Sequence, residues 1–121
     1  MAASLSVERP KQFTNAGLAR LGQVIREARQ RIGRVVYGDP DLSQDRFVQY
    51  VHEQFGVNLI TKQTLSRLEN GWLKTPQADT VQYLAPFTWN EEKQRPWLWH
   101  ELIDLAMDVI PTENGNGNSR K

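Results

Sequence analysis

Ile60-Thr61-Lys62-Gln63-Thr64-Leu65-Ser66-Arg67-Leu68-Glu69-Asn70-Gly71 is the stretch on which the reading of this chain turns. It predicts a short helix. Thr61 is an N-cap whose hydroxyl can accept from the first free backbone N–H groups, and Gly71 is a stop. At about 100° per residue, Leu65 and Leu68 fall on one side. Gln63, Ser66, Arg67 and Asn70 fall on the other, with Lys62 at the edge of that face near the N-terminus. Two leucines beneath Lys, Gln, Ser, Arg and Asn give the side-chain chemistry of a major-groove reader. Arg and Lys can donate to guanine, Gln can pair with adenine, and Asn and Ser can grip phosphate. An ordinary surface helix can carry the same polar face as solvated surface, so this helix alone leaves both readings open.

Its neighbours narrow the choice. Leu42-Ser43-Gln44 opens the preceding apolar-periodic segment, and Pro76 to Ala85 forms another short helix after it. This order resembles the phage-repressor (Cro/XRE-type) helix-turn-helix family over roughly residues 17–88. The matching residues are Leu42, Ser43, Gln44, Thr64, Leu65, Ser66, Arg67, Leu68, Glu69, Asn70, Gly71, Pro76, Leu84 and Ala85. The resemblance implies an all-α, λ-repressor-like helix-turn-helix bundle of about five helices, here with an extra C-terminal helix and longer loops. It implies duplex DNA as partner, with helix 62–70 in the major groove and Lys62, Gln63, Ser66 and Arg67 near base edges. Gln44, Thr61, Thr64, Asn70 and Lys74 would hold phosphates and set the register. Gln44 matches the family's phosphate-gripping glutamine, at a helix N-terminus whose free N–H groups also favour phosphate. Glu69 matches a position that ties the fold together, and an acid aimed at phosphate would be repelled. The match departs from the family in two places: residues 33–41 replace a much shorter turn, and Gln44 to Lys62 is longer by about two helical turns.

Composition bounds the rest. The chain has 121 residues, enough for one domain with a modest core, and no cysteine, which excludes disulfides and thiolate chemistry. His52 and His100 are far apart on different predicted helices, so no metal or acid–base site is built on them. No run approaches the roughly 18 apolar residues of a membrane span, and the N-terminus has no apolar signal segment. The expectation is a cytoplasmic, nucleoid-associated protein without a cofactor. The net charge of +1 hides an asymmetry. Residues 1–74 carry eleven Lys/Arg against seven Asp/Glu, whereas residues 75–121 carry four against seven. The basic half contains the reading helix.

Residues 1–12 read as a flexible arm, either frayed or groove-binding, ahead of one domain over 13–110. Thr14 should cap a first helix that buries Leu18, Leu21, Ile25, Ala28 and Ile32, with Phe13 and Leu18 as a hydrophobic staple and Gly33 as its end. Val35-Val36-Tyr37 could pack on the core, form a short strand or meet a partner. Ser43 should cap a second helix burying Phe47, Val48, Val51 and Phe55, stopped at Gly56, with Val57-Asn58-Leu59-Ile60 as the turn. Trp72 is either a core or interface aromatic or part of the backbone-contacting stretch. Thr75 and Pro76 should open a fourth helix through Val81, Leu84 and Ala85.

Asn90 to Arg95 reads as a capped first turn, and Pro96 begins a helix to about Ile110 that is apolar around well over half its circumference. One side, Leu98, Leu102, Leu105 and Val109, would close the core. The other, Trp99, Ile103, Ala106 and Ile110, is a candidate dimer surface, unless the small core needs it too. Residues 111–121 are expected to form a flexible, disordered polar tail.

Sequence-specific DNA binding by a small homodimeric transcriptional regulator, repressor or activator, is therefore the leading expectation. The alternative is a protein-interaction module on the same fold, a coactivator or antitoxin-like partner. An enzyme has neither a nucleophile–base pair nor a cofactor loop behind it.

Overall fold

The computed structural model describes residues 9–110. Among the described residues the protein is mostly helical, with 59% helix counting the π and 3-10 turns, five α-helices and little sheet. In chain order these are β1 (Lys11–Phe13), α1 (Asn15–Ile32), α2 (Gln44–Phe55), α3 (Lys62–Glu69), α4 (Ala78–Leu84), α5 (Trp99–Leu105) and β2 (Met107–Val109).

Thr14 starts α1 by accepting from the Gly17 N–H at 3.0 Å, and the expected stripe of Leu18, Leu21, Ile25, Ala28 and Ile32 is buried. Gly33 does not stop the helix. It stays right-handed and begins a π-helical turn over Gly33–Tyr37, and the left-handed residue is Gly38 at φ 67°. Gly33 is required for a different reason: a Cβ there would lie 2.1 Å from the Asp39 carbonyl oxygen as the chain folds back. The turn leaves Val35 and Val36 exposed and sets Tyr37 edge-on to Tyr50.

Ser43 caps α2 through the Arg46 N–H, and Gly56 at φ 75° ends it. Phe47, Val48 and Val51 are buried as expected, but Phe55 is 43% exposed. It sits at the rim of an aromatic cluster instead, 5.8 Å edge-to-face from Phe87, which also meets Phe47 and Tyr50. The following turn is clipped to α2 by His52, whose Nε2 lies 2.8 Å from the Ile60 carbonyl. Thr61 then caps α3 by accepting from the Thr64 N–H. At the other end Gly71 is left-handed, and the N–H groups of Gly71 and Trp72 donate to the carbonyls of Leu68 and Arg67. That paired closure satisfies carbonyls the helix would otherwise leave free.

Helix α4 begins after Gln77, two residues later than Thr75 and Pro76 would place it, because Pro76 is buried in the packing ahead of the helix. It tightens into a 3-10 turn at Ala85–Phe87. The largest revision is at the C-terminal end. Asn90 and Arg95 pair across a tight turn, with Gln94 at φ 55°, so Pro96 does not begin a helix. Glu101 accepts from the Leu98 N–H and starts α5 only at Trp99. The helix stops at Leu105 because Met107–Val109 pairs antiparallel with Lys11–Phe13, in the register Lys11↔Val109, Gln12↔Asp108, Phe13↔Met107. Residues 9–12 are consequently held and do not form an arm: the Arg9 guanidinium donates to the Ile110 carbonyl and the Ile110 N–H to the Pro10 carbonyl. Residues 1–8 of the expected arm and the expected tail at 111–121 lie outside the described residues.

Two glycines let α1 act as the central post. A Cβ on Gly22 would come within 2.4 Å of the Glu69 carbonyl oxygen, so α1 and the end of α3 touch backbone to backbone there. A Cβ on Gly17 would come within 2.1 Å of the Ala106 carbonyl oxygen, where the end of α5 meets α1. Leu65, Leu68, Val81, Leu84, Leu102 and Ala106 complete the core around this post.

Candidate nucleic-acid interface

Burial of Leu65 and Leu68, 0% and 1% exposed, fixes which side of α3 faces out. Lys62, Gln63 and Arg67 are exposed on the opposite side, and Ser66 is half-buried between them. The four residues expected at base edges thus share one helix face. Lys62 also lies 3.5 Å from Asp45 at the start of α2, with both side chains mostly in solvent. Such a pair is weak and readily exchanged.

The helix is anchored from behind by Glu69, whose side chain is fully buried. Its carboxylate receives Arg29 through two bonds of 2.8 Å and the Gln44 amide at 3.0 Å. Arg29 donates a third bond to the Leu42 carbonyl at 2.6 Å, tying α1, the approach to α2 and the end of α3 in one knot. The bonds to Glu69 hold the Arg29 guanidinium above its ordinary pKa, against burial, which lowers it. Arg26 adds a longer contact of 3.7 Å to the same carboxylate and reaches the Glu69 carbonyl and Asn70 Oδ1. Two cations against one buried carboxylate leave a surplus of positive charge beside the C-terminal end of α3. Glu69 has the structural role expected of it. Spacing alone does not single out Arg29; its place beside Ala28, on the border of the buried stripe, is the signal in the sequence that marks it.

The five expected phosphate ligands do not form one equivalent set. Gln44 spends one amide hydrogen on Glu69 and keeps the other. Thr61 donates its hydroxyl to Thr64 Oγ1, which leaves Thr64 its own proton to give. Asn70 turns its amide back to the Ser66 carbonyl at 2.9 Å. Lys74 lies with Asn15 at 3.3 Å, near the start of α1. Trp72 is no part of the core: it is 67% exposed, directly after α3.

The expected dimer surface is not one face. Ala106 is 0% exposed in the core, Ile103 packs partly against it, and Ile110 lies beyond α5 beside β2. Of the four, only Trp99 is exposed, at 38%, because the helix that was to align them ends at Leu105. The other side changes too, since Leu98 and Val109 are 45% and 50% exposed. The apolar surface gathers instead in a groove of about 410 Å³ lined by Pro86, Pro96, Trp97, Leu98 and Trp99.

Among the described residues no three His, Asp or Glu side chains are grouped to hold a metal ion, and no helix is long and apolar enough to cross a membrane. No protein-family model, no curated protein and no solved structure matches the chain.

Proposed function

We propose that this chain is a sequence-specific duplex-DNA-binding transcriptional regulator of the λ-repressor-like, Cro/XRE-type helix-turn-helix kind, working in the cytoplasm at the nucleoid. The observation that carries this reading is the outer face of α3. It presents Lys62, Gln63 and Arg67 to solvent on a helix whose other side is locked by Leu65, Leu68 and Glu69. In the major groove Arg67 and Lys62 would donate to guanine and Gln63 would pair with adenine. Gln44 and Thr64, each with a hydrogen left to donate, would hold phosphates on either side. Asn70, which already caps α3, would contribute less than its position suggests. A second copy would dock through Pro86, Pro96, Leu98 and Trp99, giving a palindromic site with half-sites about one turn, ~34 Å, apart or a multiple of it.

The test is selection of bound sequences from a random duplex library at two salt concentrations. An enriched palindrome is expected. Salt-sensitive retention without enrichment would leave only backbone affinity, and no retention at either salt would end the DNA reading.

A further inference from the structure

The π-helical turn after α1 does something the core does not need. It carries Val35 at 72% and Val36 at 46% exposure, on a turn held between the tight approach at Gly33 and the left-handed Gly38. Val35 opens onto a cleft of about 450 Å³ between the last turns of α1 and Trp89. On one wall the Arg31 guanidinium lies 4.9 Å over the Trp89 ring, and Arg34 also lines the cleft. Neither arginine meets a carboxylate among the described residues, whereas Arg20, Arg26, Arg29 and Arg95 each do. The cleft's own acids line it without bonding either arginine: Glu27 takes the Gln23 amide at 2.9 Å and Glu91 that of Gln94 at 3.4 Å.

We infer that this cleft is a docking surface for a short segment of a partner protein that combines an acidic side chain with a branched aliphatic one. A carboxylate is the partner that two unpaired guanidinium groups take best, through short charge-assisted bonds. Stacking on Trp89 holds Arg31 in place beforehand, so less side-chain freedom is lost on binding. An aliphatic group would cover Val35 and the open edge of Trp89, removing apolar surface from water. A nucleic-acid backbone fits less well, because Glu27 and Glu91 would face a continuous row of phosphates. A peptide can place one charge between them. The cleft shares no residue with the α3 face, so a partner segment and a duplex could be held together.

The test is a display selection of random dodecapeptides against the full chain. The most enriched sequence is then made as a synthetic peptide and titrated into wild type, Arg34→Glu, Val35→Ser and Glu91→Gln. All three substituted positions are exposed, so the fold is retained, which a thermal melt checks. Enriched peptides should pair Asp or Glu with Leu, Ile or Val. Affinity should fall at least tenfold in Arg34→Glu and in Val35→Ser, and rise severalfold in Glu91→Gln. No enrichment, enrichment of basic or neutral peptides, or affinity indifferent to the three changes would overturn the inference. So would an Arg34→Glu protein that loses duplex affinity as steeply as Arg67→Ala does, since the cleft would then face nucleic acid. Loss of the DNA reading by itself leaves the peptide result standing, because the two are measured on separate ligands.

Discussion

Arg67 and Gln44 stand on the same proposed surface, but they would answer to different parts of a duplex. Arg67→Ala should cost about 1–3 kcal/mol on the selected site and relax preference at one base position. Gln44→Ala should weaken all duplexes more evenly, and it frees one lone pair on the buried carboxylate of Glu69. Competition titrations with single-base variants of the site separate the two. Behind them, Arg29→Ala would strand Glu69, whose remaining charged contact is Arg26 at 3.7 Å. Removing one partner of a buried pair typically costs about 3–5 kcal/mol. Urea denaturation should register it as a lower midpoint at unchanged slope. At this scale the sequence was informative where chemistry is local. Leu65, Leu68 and the caps Thr14, Ser43 and Thr61 can be read from spacing alone. The partner of Glu69 could not be, because Arg29 is forty residues away and only the packed fold brings them together.

Two elements are set by contacts that a substitution can test directly. Gly22→Ala should gain about 1 kcal/mol of helix propensity in α1. It should lose more, because the new Cβ would meet the backbone oxygens of Glu69 and Leu68 at 2.4 and 2.7 Å, and backbone cannot swing aside. Overpacking of this kind costs about 1–3 kcal/mol. A net fall in melting temperature, with weaker duplex binding as α3 is pushed off α1, is the expected outcome. The start of α5 is sensitive to acid. Arg95 first, then the Leu98 N–H and Lys93, hold the Glu101 carboxyl far below its ordinary value of 4.5. The Thr14 hydroxyl first, then Arg20, hold Asp108 down as well. A carboxyl lowered in the folded state contributes stability that is complete above its unfolded pKa and is lost as pH falls toward the folded one. Thermal melts should therefore decline below about pH 4.5, and Glu101→Gln should lower the melt at pH 7 and flatten that decline. The extent of α5 was the least legible element. Residues 97–110 satisfy a helical spacing, but they also have a strand partner near the other end of the chain, and local periodicity carries no trace of so distant a competitor.

For the molecule as a whole, the apolar groove beside Leu98 and Trp99 predicts self-association. Leu98→Glu should convert a dimer into a monomer in sedimentation and reduce affinity for a palindrome far more than for a single half-site. A wild-type chain that sediments as a monomer both free and on DNA would remove the dimer. The charge asymmetry was legible in the sequence, since it needs only counting, and so was a mostly helical chain. The closure of the chain on itself was not. In that closure Lys11 sits opposite Val109, so the two strands part from the end at which the chain enters and leaves them. Pulled from its two termini, the molecule would not load these hydrogen bonds together in shear. It would open them one after another like a zip, so the first mechanical yield comes at the ribbon, while the helices packed on α1 are still unloaded.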